Sequence, residues 1–134
     1  MLDKSFLIVY CIDNETNKTK HTERGFQMKK ITKNECIETL CNQRTIFMGV
    51  SHKEHCEDEI RLAQSNLEKD ILDGVMMNTR SAKPYSKGVK FSGGSYCAIN
   101  DKRTECYRIG SVLKIRKYDG YGNLWLEMYY YLCL

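Results

Sequence analysis

The residues whose types and spacing could do chemistry fall into four groups. Gly88-Val89-Lys90-Phe91-Ser92-Gly93-Gly94-Ser95 has the glycine spacing of a phosphate loop, in which backbone N–H groups cradle phosphates. Gly94 stands where such a loop needs its lysine, and Tyr96-Cys97-Ala98-Ile99 reads as a strand where a helix should follow. Nucleotide hydrolysis of that kind therefore fits poorly. A tight turn between strands is the plainer expectation, although backbone free of side chains can still approach an anion.

His52, His55 and Cys56 form the second group, and with Cys36 or Cys41 they offer zinc-ligand types. No Cys-x-x-Cys pair supports a site, so the expectation is no metal and no cofactor. Cys56 beside His55 is the one local thiol and base pair, but neighbours on a helix point in different directions, and core packing is expected for the thiol. The third group, Glu57-Asp58-Glu59, supplies carboxylates for acid–base work, yet a consecutive run is what a solvated helix face carries. No catalytic residue is assigned.

The fourth group is the most informative. Arg80, Lys83, Lys87, Lys90, Lys102, Arg103, Arg108, Lys114, Arg116 and Lys117 are interleaved with Tyr85, Phe91, Tyr96, Tyr107 and Tyr118. Between Arg80 and Tyr118 only Asp101 and Glu105 oppose them, which leaves the stretch at +8. Cations attract phosphates and aromatic faces accept bases by stacking, so the combination suits a nucleotide or a nucleic acid. The bland alternative is a sheet with a lysine-rich solvent face, which protects edges from aggregation. Residues 1–73 carry 11 basic and 13 acidic side chains, a net −2, whereas residues 74–134 carry 10 and 4, a net +6. The overall +4 belongs to the second half.

Elements must position these groups. Phe6–Ile12 is the longest apolar run and reads as a buried strand, followed by a polar loop over residues 13–20. Phe26 and Met28 suggest a return strand. Thr32-Lys33-Asn34-Glu35 is a capping box, with a helix over about residues 33–42. Thr45–Val50 reads as a strand. Ser51-His52-Lys53-Glu54 repeats the capping pattern, and Cys56, Ile60, Ala63, Leu67 and Ile71 place a second helix near residues 53–73, closed by Gly74. From residue 75 to 134 the chain is β-rich. Ser111–Tyr118 and Leu124–Leu132 form a hairpin through residues 119–123, with Lys114 and Arg116 on its solvent face and Trp125, Tyr129 and Tyr131 opposite the core-facing set.

At 134 residues one hydrophobic core is expected. The fold class is therefore a single α+β domain, with two helices on a mainly antiparallel sheet. The apolar runs are shorter than the roughly 20 residues that cross a bilayer. With seven cysteines, an odd number, and no signal peptide, reduced thiols and a cytoplasmic location are expected.

In its size, lack of a catalytic constellation and polar segments such as Asp13–Lys20, the chain resembles small phage-encoded anti-defence proteins, including anti-CRISPR inhibitors and cyclic-nucleotide sponges. Mimicry of DNA needs an acidic surface, which this chain lacks. The resemblance implies either sequestration of an anionic ligand or direct binding to a host defence protein. The ligand-binding candidates are Lys90, Phe91, Gly93, Gly94, Arg103, Tyr107, Arg108, Lys114 and Arg116. Trp125, Tyr129 and Tyr131 are the interface candidates, and their exposure would make the chain a homo-oligomer. A small nucleotide-cleaving enzyme is the third expectation.

Overall fold

A computed structural model describes residues 28–133. The expected strand at Phe6–Ile12, the loop after it and Phe26 lie outside these residues. The described chain forms an α+β fold with two helices and nine strands: β1 (Lys29–Ile31), α1 (Lys33–Asn42), β2 (Thr45–Ser51), α2 (Glu57–Leu72), β3 (Thr79–Arg80), β4 (Ala82–Tyr85), β5 (Gly88–Phe91), β6 (Tyr96–Ala98), β7 (Thr104–Ile109), β8 (Val112–Tyr118) and β9 (Leu124–Leu132). Six strands pair in the order β1-β7-β8-β9-β2-β3, and β4-β5-β6 form a second, smaller antiparallel sheet.

The first helix begins where its capping box puts it. Thr32 Oγ1 accepts the N–H of Glu35 at 3.0 Å and Glu35 Oε1 accepts the N–H of Thr32 at 3.0 Å, so two otherwise orphaned donors are satisfied. The Thr32 bonds hold the Glu35 carboxyl below its usual pKa. Thr32→Ala is expected to cost about 1 kcal/mol, read as a lowered urea midpoint in circular dichroism.

The second helix starts at Glu57 and not near Lys53. Ser51 continues β2 opposite Glu127, and its hydroxyl is taken by the Lys53 N–H at 3.1 Å and by the His55 ring at 2.9 Å. Residues 52–56 instead cross the sheet, tied by His52 Nδ1 to the Trp125 carbonyl at 2.9 Å and by Glu54 to Arg116 at 3.0 Å. Cys56 is the N-cap, and Glu59 accepts its N–H at 2.8 Å. Glu59 is thus buried, contrary to the solvated acidic face expected for it. At the other end Gly74 takes φ +83°, its N–H bonds the Ile71 carbonyl at 3.1 Å and the Val75 N–H bonds that of Asp70 at 3.0 Å. This pattern closes helices with glycine.

The large sheet is covered on both sides. On one side α1 and the small sheet bury Cys36, Leu40, Val89, Phe91, Cys97, Ile99, Cys106, Leu113, Ile115, Tyr130 and Leu132, with Phe91 stacked on Tyr130 at 5.2 Å between ring centres. On the other side Ile60 and Ala63 of α2 meet Ile109, Val112 and Tyr129. Among the described residues all six cysteines are free, and Cys36, Cys97 and Cys106 are buried, as expected for small core residues. No helix among the described residues is long and apolar enough to cross a membrane.

Candidate anion-binding cleft

The α2 side of the large sheet changes the meaning of Lys114 and Arg116. Both project there, as alternation along β8 requires, but that side is not water: Lys114 is fully buried and Arg116 keeps only 14% of its side chain exposed. Lys114 Nζ and Arg116 Nε each lie 3.3 Å from Glu127 Oε2, and Glu127 is itself fully buried. The Lys114 pair is an ion contact without a directed hydrogen bond. Tyr129 donates its hydroxyl to Glu127 Oε1, and the Tyr107 ring faces Lys114 Nζ at 5.0 Å. Burial pulls the Lys114 pKa below the usual lysine range against the pull of Glu127. Burial seals Lys114 from solvent, and Arg116 is held between Glu127 and Glu54, so neither cation is open to a solvent ligand.

Tyr129 is buried and Tyr131 half-buried, with the Tyr131 hydroxyl donating to Glu68 of α2 at 3.0 Å. The helix that covers them removes the reason to expect an oligomer seam there. Trp125 alone of the three is exposed, at 56%. Lys90, Phe91, Gly93 and Gly94 belong to the small sheet, across the large sheet from Arg116, so the expected juxtaposition of the glycine turn with Arg116 does not form. Arg108 donates to the Gly110 carbonyl at 2.9 Å, and Tyr107 to Glu105 at 2.7 Å. The structure therefore disperses the expected site.

It assembles a different one from part of the same set. Where the loop before β7 meets the β8–β9 turn lies a cleft of about 570 Å³, lined by Asp101, Lys102, Arg103, Lys117, Tyr118, Asp119, Gly120 and Trp125. Asp101 Oδ1 accepts the Arg103 N–H and the Thr104 hydroxyl, both at 2.8 Å, which fixes the loop as an Asx turn. Its Oδ2 pairs with Lys117 Nζ at 3.2 Å. Lys117 also donates to Thr104 at 2.8 Å and to the Ala98 carbonyl, so its three N–H groups are occupied. On the opposite wall Asp119 Oδ1 accepts the N–H groups of Tyr121 and Asn123 at 2.8 and 2.9 Å. The Tyr118 N–H bonds the Arg103 carbonyl at 2.9 Å and joins the two walls.

Both acids of the cleft thus hydrogen-bond within its own walls. Burial opposes ionisation of Asp101, but the Thr104, Arg103 and Lys117 bonds prevail and hold its carboxyl below the usual range. Burial and the hydrogen bond to Glu105 push the Tyr118 phenol up to about 12, so it is a neutral wall at physiological pH. Among the described residues Lys102 and Arg103 have no ion-pair partner. The Arg103 guanidinium lies over Gly120, where an added Cβ would stand 3.6 Å from Nη2. Two unpaired cations thus face an exposed indole across a cleft of small-ligand size.

From the sequence Arg103 is a ligand-binding candidate and Trp125 an interface candidate, whereas Lys102 stands only within the basic set. Asp101 and Asp119 were missed as organisers; the Asp-x-x-Thr spacing at 101–104 was the available signal. Among the described residues no group of three metal-ligating side chains converges. Comparison with known protein families, with curated proteins and with solved structures found no match to this chain.

Proposed function

We propose that the protein is a non-enzymatic binder of an anionic ligand with an aromatic base, a nucleotide or a nucleic-acid segment, held in the cleft between Arg103, Lys102 and Trp125. The observation that carries this reading is the pairing of two cations that make no ion pair among the described residues with an exposed indole, beside two acids each hydrogen-bonded within its own turn. Phosphate would lie against Lys102 and Arg103, where the local charge favours it, and the base would stack on Trp125. Sequestration is the mode of action that fits a binder without catalytic groups, and it agrees with the resemblance to anti-defence proteins.

Trp125 is the single tryptophan of the sequence, so its fluorescence reports the site directly. Adding nucleotides or short oligonucleotides is expected to quench it. Trp125→Ala should weaken binding by about 5- to 100-fold, the worth of one stacked base, and Arg103→Glu should abolish it at low salt. Native mass spectrometry should show the nucleotide bound and intact. Quenching absent at millimolar nucleotide, together with no adduct, would sink the reading, and a cleaved nucleotide would turn it toward an enzyme.

A second reading is direct binding to a protein. Leu72 and Met76 are 85% and 93% exposed at the end of α2, beside a groove of about 330 Å³ lined by Ile46, Ile71, Val75, Met77, Thr79, Tyr131 and Cys133. A contiguous exposed apolar patch of this kind marks contact surfaces. Survival of partner capture in Arg103→Glu and its loss in Met76→Asp would favour this reading over the first.

A further inference from the structure

The small sheet carries a second feature that the cleft does not use. Its inner side buries Ala82, Val89, Phe91 and Cys97 in the main core. On its outer side antiparallel pairing sets Lys83 opposite Lys90 and Lys90 opposite Tyr96. Paired residues project on the same face of a sheet, so two ammonium groups and a phenol ring form one row across three strands. All three are exposed. Lys90 Nζ lies 5.4 Å from the centre of the Tyr96 ring, and Tyr85 meets the same ring edge-on at 5.3 Å.

Like charges directly opposite on neighbouring strands destabilise a sheet. No acid offsets them among the described residues: residues 74–100 contain Arg80, Lys83, Lys87 and Lys90 and no Asp or Glu, and Lys83, Lys87 and Lys90 make no ion pair there. Protection of an edge explains Lys83 on the outer strand β4. It does not explain Lys90, because β5 is the central strand of the three and has no free edge. The exposed Tyr96 on the other edge is the opposite of a protective residue.

This face also leads to the cleft. The Ile99 and Asn100 N–H groups bond the Lys87 carbonyl at 2.7 and 3.0 Å, and the Asn100 amide donates to the Ser86 carbonyl at 3.3 Å. The β4–β5 turn carrying Lys87 is thereby fastened to the chain just before Asp101, Lys102 and Arg103.

We propose that the outer face of the small sheet is a platform that tracks the phosphates of a single-stranded nucleic acid. Resting on the cleft reading for its other end, the ligand class is then an oligonucleotide and not a mononucleotide. A single strand is required because Tyr85 and Tyr96 stack on bases that a duplex would keep paired, and a polymer is required because cations spaced along a surface are matched by repeating phosphates.

Fluorescence anisotropy with labelled oligothymidylates of about 4 and about 16 nucleotides, spanning the usual site sizes, tests this. The longer strand is expected to bind wild-type protein at least about tenfold tighter. In the double variant Lys83→Gln, Lys90→Gln, whose fold is checked by circular dichroism, that advantage should disappear and the salt slope for the longer strand should fall by roughly 1.4, the share of two phosphate contacts on a single strand. Equal affinity for both lengths, or an unchanged longer-strand affinity in the double variant, would overturn the platform, as would binding of no oligonucleotide at all. Trp125→Ala separates the two sites: if it leaves binding unchanged while the double variant loses it, the cleft reading fails and the platform stands.

Discussion

Glu127→Ala is expected to destabilise the folded chain by about 3–5 kcal/mol, a large part of the stability of a domain this size. Glu127 is fully buried and lies within 3.3 Å of both Lys114 Nζ and Arg116 Nε. Without it Arg116 keeps Glu54 at 3.0 Å, but Lys114 retains only the Tyr107 ring at 5.0 Å as partner to a buried positive charge. Burial already depresses the Lys114 pKa, and loss of the carboxylate depresses it further. The variant then binds fewer protons folded than unfolded, so its stability rises with pH and the deficit narrows toward the usual lysine pKa. Replacing both partners, Lys114→Met with Glu127→Gln, should cost much less than Glu127→Ala alone, because no unpaired charge remains under α2. Urea denaturation at several pH values measures all three. Equal losses for the single and double variants would show that the network is not buried as described.

Gly88→Ala is expected to cost on the order of 2–4 kcal/mol. A Cβ at Gly88 would stand 2.1 Å from the Cys97 carbonyl oxygen and 2.8 Å from the Ile99 nitrogen, with φ at +157°. Both obstacles are backbone of the adjoining chain, so no rotamer change relieves them and β5 must move away from β6. Val89, Cys97 and Ile99 lose core contacts together, and the Lys90 and Tyr96 row of the outer face is disturbed with them. Gly93→Ala is the control. An added Cβ there meets nothing within 4 Å, and the change should stay within about 0.5 kcal/mol. Thermal unfolding distinguishes the two readily, since about 1 kcal/mol moves the midpoint of a small domain by several degrees. Equal shifts for both glycines would mean that the strands do not approach so closely at Gly88.

These variants also mark where local signals stop. Gly88, Gly93 and Gly94 are alike as sequence, and together they resemble a phosphate loop. Gly88 is required by the passage of another strand across it, Gly94 takes φ +93° and Gly93 has open space around it. Ser51 likewise carries the capping pattern with Glu54 three residues on, and Cys56 stands at the same spacing from Glu59. Ser51 is consumed by the β2–β9 pairing with Glu127, and the cap passes to Cys56.

The sequence by itself determined what short-range physics determines. The Thr32–Glu35 box starts α1, Gly74 ends α2, the span of β9 follows from its alternation and the basic excess sits in the C-terminal half. Tertiary structure decided which of the basic residues face water. Alternation along β8 separates Lys114 and Arg116 from Leu113 and Ile115, but it is silent on whether the far side meets solvent or a helix, and here α2 lies on it. Only the folded chain brings Arg103 to Trp125, or Lys83 to Lys90 to Tyr96. Arg103 and Trp125 line one cleft only because the turns closed by Asp101 and Asp119 come together, and Lys83, Lys90 and Tyr96 align only through a strand register that the burial of one face and the turn geometry fix together.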